Sequence, residues 1–338
     1  MSREAQQTHK RLGGPVKPLA AMDSYRGQDV IVKLSFGKDS LATLLAMLDA
    51  GIHVVKAIEC DTGWEALEHY EYVAKMRPLI SEKYGVDIIT LRADVNLQHE
   101  RIHMAEDVER IMGIYDYGVP FSPFVRRTLY KGMFSSRMRK WCTEDIKVRP
   151  AYIWLKNSID EMDDNVTIVT GVRADESLAR SNMPPLEKWP NDLGLMEWRP
   201  ILHWSVQDVV AQLTRHGIPT HPLYQRGANR VGCWPCIQCG KTDLRLLGGD
   251  ERRIAAIDAL EGYVYDCSPR AQRGEPHDRG MFFDSAVGDD GVWHIVPITT
   301  KIAWAQTSRG VSTAQQRMFE IAPPSACTRW GWCEPFDA

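Results

Sequence analysis

Residues Asp29 to Leu34 form a short apolar, β-branched block of the kind that fills a buried strand. After a polar hexapeptide the period changes. Leu41, Leu44, Leu45 and Leu48 recur at helical spacing, and Gly51 follows where a helix end takes a left-handed residue. His53–Glu59 and Val86–Leu91 are two further strand-like blocks, flanking a long helical stretch over Glu65–Tyr84. A helix over Glu144–Asp160, a strand over Val166–Thr170 and a helix over Ser205–His216 with Ser205 as N-cap complete the series. Strand alternating with helix predicts an α/β fold: a doubly wound, mostly parallel five-stranded sheet with helices on its faces. From Gly232 onward the periodicity weakens and Cys, Gly, Pro and Trp gather. The expected division is a loose arm over 1–25, an α/β domain over 26–230 with an insertion at 121–149, and a Cys-rich C-terminal extension over 231–338.

Charge refines this picture. Lys plus Arg number 41 against 44 Asp plus Glu, a balance that argues against a surface built wholly to coat nucleic acid. The insertion is the exception. It holds eight cations (Arg126, Arg127, Lys131, Arg137, Arg139, Lys140, Lys147, Arg149) against Glu144 and Asp145. Phe121, Phe124, Tyr130, Phe134 and Trp141 are interleaved with them. Cations neutralise phosphates and aromatic rings stack on bases, so one reading is a nucleic-acid partner. The others are an extra nucleotide phosphate, or a solvated loop over a few core aromatics. No apolar run approaches the roughly 18 residues that span a bilayer, and the polar first ten residues lack a secretory core. The expectation is a cytoplasmic protein with no membrane partner.

The sharpest local signal is Ser35-Phe36-Gly37-Lys38-Asp39-Ser40, between the first strand and the first helix. Unpaired N–H groups and the helix dipole converge at such a junction and favour an anion. Gly37 is expected to turn the backbone tightly toward a phosphate, Lys38 to supply charge, and Ser35 and Ser40 to donate hydroxyls. Asp39 is expected to cap the helix or to hold Mg²⁺ beside phosphates. Asp61 at the second strand's end suits a ribose, an adenine or Mg²⁺, and Arg173 after the fourth strand suits a two-point grip on phosphate.

These segments resemble the PP-loop signature of the adenine nucleotide α-hydrolase superfamily, and their order resembles its phosphoadenylyl-sulfate (PAPS) reductase-like branch. The matching pieces are the 35–40 loop, Asp61-Thr62-Gly63, Trp141-Cys142-Thr143 through Lys147, Gly171-Val172-Arg173 with Glu176, Ser177 and Arg180, and His221-Pro222-Leu223-Tyr224 followed by Gly232-Cys233-Trp234-Pro235-Cys236. The Trp-Cys-Thr and Gly-Cys-Trp-x-Cys segments also resemble the ATP pyrophosphatase of DNA phosphorothioation systems. The resemblance implies ATP or PAPS at the carboxyl ends of the strands. Ser35, Gly37, Lys38, Asp39, Ser40, Asp61 and Arg173 would form the nucleotide site, with Lys38, Asp39 and Arg173 as its catalytic groups.

Cys233, Cys236 and Cys239 lie at spacing that lets neighbouring thiolates share a metal. In related iron–sulfur members a cysteine at the position of Cys142 completes the set. The expected group is a [4Fe–4S] cluster, with zinc as the alternative and Cys327 and Cys333 as competing ligands. The chain departs from the assimilatory reductases in its tail, where Cys333 lacks their flanking residues, and in having Trp141 and Thr143, not a second cysteine, beside Cys142. The first expectation is ATP cleavage between the α- and β-phosphates coupled to sulfur transfer from a sulfur donor. The second is a PAPS or adenylyl-sulfate (APS) reductase served by a thioredoxin-like reductant. The third is a non-catalytic nucleotide module with structural zinc.

Overall fold

The structure is a computed structural model that describes residues 14–307 except 26, 28, 137, 159–165, 190–192, 274–279 and 288–292. Cys327, Cys333, Arg137 and the end of the helix expected at 144–160 therefore lie outside the described residues. In chain order the main elements are β1 (Val30–Lys33), α1 (Lys38–Asp49), β2 (Val54–Cys60), α2 (Leu67–Tyr84), β3 (Ile88–Leu91), α3 (His99–Met112), α4 (Pro123–Lys131), α5 (Arg149–Ser158) and β4 (Thr167–Thr170). They continue with β5 (Leu186–Lys188), β6 (Met196–Trp198), α6 (Val206–Arg215), α7 (Lys241–Leu247), α8 (Glu251–Asp266), β7 (Asp284–Val287), β8 (Trp293–Val296) and α9 (Ile298–Gln306). No helix among the described residues is long and apolar enough to cross a membrane.

Six strands form the main sheet in the order β3-β2-β1-β4-β6-β5. The pairings from β3 to β6 are parallel and the edge strand β5 is antiparallel to β6. The sheet thus carries one antiparallel edge strand beyond the five strands expected. The order also reverses at β1: the chain winds outward through β2 and β3, then returns to β4 on the other side. In such sheets the crevice beyond the carboxyl ends at the reversal is where ligands bind.

Val30, Ile31 and Val32 are wholly buried because both faces of β1 are covered. On one face, every residue of α1 except Asp39 is buried, since the helix lies between the sheet and α6. On the other face Leu155 of α5 joins Ile31, Ile168, Trp189 and Leu195. A separate core unites α3 and α4 with α7, α8 and α9, and with Trp64 and Trp141. The basic insertion and the Cys-rich region therefore share one hydrophobic interior.

That arrangement settles how the insertion's aromatics are used. Phe124, Phe134 and Trp141 are 2%, 4% and 6% exposed, so they are core residues and not a base-stacking surface. Arg126 lies over Phe121 and pairs with buried Glu109, while Arg127 and Lys131 converge on Asp145. Tyr130 remains half exposed, with Arg127 over its ring.

Candidate functional site

The loop after β1 and the loop after β4 meet at the reversal point. Their approach is close because Gly171 has no side chain. A Cβ there would lie 2.8 Å from the Asp39 carbonyl oxygen and 2.9 Å from the Ser40 Cα. The Ser40 hydroxyl ties the loop, accepting from the Ser35 N–H at 3.1 Å and donating to the Gly37 carbonyl at 3.0 Å. Gly37 is the N-cap of α1, and no side chain caps that end, so its first N–H groups point outward.

The turn itself differs from expectation. Gly37 is extended at φ −78°, and the left-handed residue is Phe36 at φ 51°. The reason is packing: the Phe36 ring is fully buried and anchors the loop in the core below the sheet's end. A Cβ at Gly37 would meet only the Ser35 and Tyr224 hydroxyls at 3.5 and 3.7 Å, ordinary contacts. No contact among the described residues therefore demands glycine at 37, and close approach of a ligand is a physical use for one.

Lys38, Asp39 and Arg173 are brought together. Lys38 Nζ donates to Asp39 Oδ2 at 2.8 Å and Arg173 Nε to Asp39 Oδ1 at 2.5 Å. Asp39 neither caps α1 nor faces water freely; its carboxylate neutralises two cations from two loops. Burial alone would raise its pKa, but Lys38 and then Arg173 outweigh that and hold it below the usual carboxylate value. Burial likewise opposes the Lys38 charge, and Tyr224 and Asp39 together raise its pKa above the ordinary value. Arg173 is 5% exposed, with a longer contact of 3.6 Å to Asp175. Arg180 instead pairs with Glu176 at the surface.

Tyr224, which the sequence reading left out of the site, lies with its ring 5.1 Å from Lys38 Nζ. It sits in a single helical turn, Pro222–Gln225, whose N-cap is His221. The Leu223 N–H donates to His221 Nδ1 at 3.1 Å, so the His221 proton resides on Nε2 and is donated to His69 Nδ1, 3.2 Å away. Burial pushes His69 down to about 4 and His221 to about 3. A pair kept neutral contributes stability that is present above the unfolded value of 6.5 and is lost as pH falls toward those folded values. Wild-type protein is expected to lose about 1.4 kcal/mol per pH unit per imidazole across roughly pH 6 to 4, relative to a His69→Gln, His221→Asn double variant. Urea unfolding of both proteins at pH 7.5 and 5 measures this; parallel losses would refute the neutral pair.

Asp61 is buried at the end of β2 and is already engaged. It accepts from the Gly63 N–H at 2.8 Å and from Arg92 at 2.9 and 2.7 Å. The Tyr70 hydroxyl is 3.1 Å from both Asp61 and Glu65. Burial and the neighbouring Glu65 raise the Asp61 pKa against the pull of Gly63 and Arg92. Gly63 is obligatory here: its φ is +64° and a Cβ would lie 2.4 Å from the Ser122 Cα. Arg92 directly follows β3, so its position at a strand's carboxyl end was the available signal. Tyr70, on α2, gave none.

The cysteine loop is zipped to this same segment. Glu65 and Cys233 form an antiparallel bridge, the Trp234 N–H donates to the Trp64 carbonyl at 2.8 Å, and the Thr62 hydroxyl lies 3.7 Å from Cys233 Sγ. Cys142, Cys233, Cys236 and Cys239 border one hydrophobic cluster. They do not converge: among the described residues no three Cys, His, Asp or Glu side chains are placed to hold one metal ion. Cys239 turns into the core, where burial pushes its thiol up to about 12. Cys233 instead faces the Lys147 ammonium, whose pKa it raises, while burial lifts the Cys233 thiol to about 11. Arg253 adds a second buried cation, stacked 4.8 Å over Trp64 and donating to the Glu65 carbonyl at 2.7 Å, with Nη1 unpaired among the described residues. Nothing in its sequence context marked it.

Comparison with known proteins agrees with this architecture. The family model described as phosphoadenosine phosphosulfate reductase domain matches residues 29–239. An uncharacterized 37.8 kDa protein of Escherichia phage 186 is 31% identical over 71% of this chain and 76% of its own length. The adenosine 5′-phosphosulfate reductase of Allochromatium vinosum is 30% identical over 46% of this chain, which spans 60% of that relative. A crystal structure of PAPS reductase from Candida auris, in complex with phosphate, aligns over 68% of this chain and 89% of its own, at 18% identity and TM-score 0.40. With a family model covering the sheet, the reversal-point loops and the cysteine loop, the chain belongs to the phosphoadenosine phosphosulfate reductase domain family.

Proposed function

We propose that the chain is an adenine-nucleotide-dependent enzyme of sulfur chemistry that cleaves ATP between the α- and β-phosphates. An acceptor oxygen attacks the α-phosphorus and pyrophosphate leaves with the bonding pair. Sulfur from a donor then attacks the atom that bears the adenylylated oxygen, and AMP leaves with that oxygen. The observation that carries this reading is the meeting of Lys38 and Arg173 on Asp39 at the open N-terminus of α1. Phosphate oxygens can take up the same two cations, and charge developing on a leaving pyrophosphate is what such fixed donors stabilise. Asp39 is the oxygen ligand available for Mg²⁺ arriving with ATP.

The second reading is reduction of APS or PAPS, favoured by the adenosine 5′-phosphosulfate reductases among the relatives. A thiolate would attack the sulfate sulfur, AMP or its 3′-phosphate would leave, and a thioredoxin-like dithiol would release sulfite. Cys333 or Cys239 would be the attacking thiol, and Cys333 lies outside the described residues. Cys239 is poorly suited, because burial disfavours its thiolate. Pyrophosphate release from ATP and sulfite release from APS and PAPS, measured side by side, separate the readings. Sulfite without pyrophosphate would replace the first with the second.

The metal set Cys142, Cys233, Cys236 and Cys239 is a distinct proposal, supported by the shared cluster and by the two cations near Cys233. Because the four thiols do not converge, no step above runs through a metal. Cys233→Ser is expected to remove most of the iron, or zinc, from protein purified without oxygen. Unchanged metal stoichiometry would refute the set.

A further inference from the structure

A lysine ammonium is a point charge on a flexible stem, and its three N–H donors rotate freely unless acceptors fix them. At Lys38 two acceptors do so. Asp39 Oδ2 takes one N–H at 2.8 Å. The Tyr224 hydroxyl takes another, and it also accepts from the Lys38 backbone N–H, the first donor of α1. With two bonds made, the direction of the third N–H is set by the protein.

Tyr224 is itself held from another part of the chain, and its side chain is buried. Its N–H donates to the His221 carbonyl at 2.9 Å, and the Gly227 N–H donates to the Tyr224 carbonyl at 3.0 Å. The turn rests on α2. Tyr72 donates to the Pro219 carbonyl at 2.9 Å, and its ring lies 4.6 Å from that of His221, which bonds His69. Leu223 beside it is fully buried in the core shared with the cysteine loop. Together α2 and this turn deliver one hydroxyl to the start of α1.

We propose that Tyr224 is a positioning residue for ATP cleavage: its hydroxyl, with Asp39, holds the Lys38 ammonium in one orientation for the leaving pyrophosphate. This rests on the nucleotide reading for the identity of the ligand. A neutral oxygen suits the place. It orients the ammonium without cancelling its charge, whereas a second carboxylate would do both. Charge on the pyrophosphate oxygens rises as the bond to the α-phosphorus breaks. An ammonium fixed in advance is therefore worth more to the departing group than to bound ATP. A Lys38 left with Asp39 alone loses that fixed direction.

Tyr224→Phe deletes the oxygen and keeps the ring, whose centroid is 5.1 Å from Lys38 Nζ. In the full chain, kcat for pyrophosphate release from ATP is expected to fall about 10-fold or more, the scale of one hydrogen bond to a charged group. KM for ATP should change little, because the lost interaction grows only as the bond breaks. Affinity for pyrophosphate, by calorimetry, should weaken by a similar factor. A double-mutant cycle with Lys38→Ala identifies the route. Once Lys38 is gone, Tyr224→Phe is expected to cost nothing further in either measurement. A merely structural tyrosine would lower both backgrounds alike, and that additivity would overturn the proposal. So would tighter pyrophosphate binding by Tyr224→Phe, which would make the hydroxyl a competitor for the phosphate's place. Should Tyr224→Phe fail to fold by circular dichroism, Tyr224→Met, with a side chain that adapts to an irregular pocket, runs the same cycle. The two readings fail separately. Lys38→Ala impaired beside Tyr224→Phe at wild-type level removes only the positioning role. Wild-type protein that binds pyrophosphate but releases none from ATP removes the cleavage reading, and the binding cycle still decides the role of Tyr224.

Discussion

Arg173→Ala is expected to lower nucleotide turnover by about 100-fold or more, the effect of deleting one fixed donor to developing charge. Lys38→Ala should act in the same range. Arg173 reaches from the loop after β4 to the Asp39 carboxylate in the loop after β1, so its loss leaves Asp39 with Lys38 alone. Lys38 is then drawn more strongly to Asp39 and is less available to phosphate. Asp39→Asn tests the same cluster in the opposite sense. It removes the charge that occupies both cations, so pyrophosphate without Mg²⁺ should bind at least as tightly as to wild type. Turnover with Mg²⁺ should nonetheless fall, because the metal's oxygen ligand is gone. Calorimetric binding of pyrophosphate with and without Mg²⁺, beside pyrophosphate release from ATP, reads all three variants. Arg173→Ala and Lys38→Ala proteins that bind and turn over as wild type would remove the phosphate assignment. Weaker metal-free binding by Asp39→Asn would show that Asp39 orders the two cations, and does not merely compete with the ligand.

What was legible in the sequence was what local pattern controls. β1, β2, β3 and β4 fall within one or two residues of the apolar blocks that predict them: β1 and β4 are buried almost throughout, and β2 and the half-buried edge strand β3 still carry a contiguous β-branched run. β5 and β6 left no comparable trace: each has three residues, and both include a glutamate, Glu187 and Glu197. Glu197 is tolerated inside because Lys33, Thr170 and Arg199 surround it, a long-range arrangement with no local mark. The helix α8 did carry a signal, in Ala256, Ile257, Leu260 and Val264 at helical spacing, but it lies among Gly- and Pro-rich flanks. At the site, the 35–40 loop was readable because strand, glycine, lysine and helix start are contiguous. Tyr70 and Arg253 were not, since each reaches the site through tertiary packing. The insertion's three readings stayed open for a related reason, and the structure favours the one that puts its aromatics in the core. Spacing shows that aromatics and cations alternate, whereas which of them turn inward depends on α8, more than a hundred residues later.

Phe36 is where local geometry and burial conflict, and magnitudes decide the outcome of replacing it. Its left-handed backbone costs roughly 1–2 kcal/mol in a residue with a Cβ. Its ring is fully buried, and removing a buried phenylalanine costs about 3–5 kcal/mol. Phe36→Gly relieves the first and forfeits the second, so a net loss of about 2–3 kcal/mol is expected. Phe36→Ala forfeits the ring and keeps the strain, and should be the less stable of the two by about 1 kcal/mol. The order wild type, then Gly, then Ala, in midpoints of urea unfolding, is the expected result. A glycine variant more stable than wild type would mean that the ring is not the loop's anchor. Nucleotide affinity should fall in both variants, because Phe36 precedes the N-cap Gly37 and its ring holds the outward-pointing N–H groups of α1 in place. The burial of one side chain thereby sets both the stability of the loop and the direction in which its donors face.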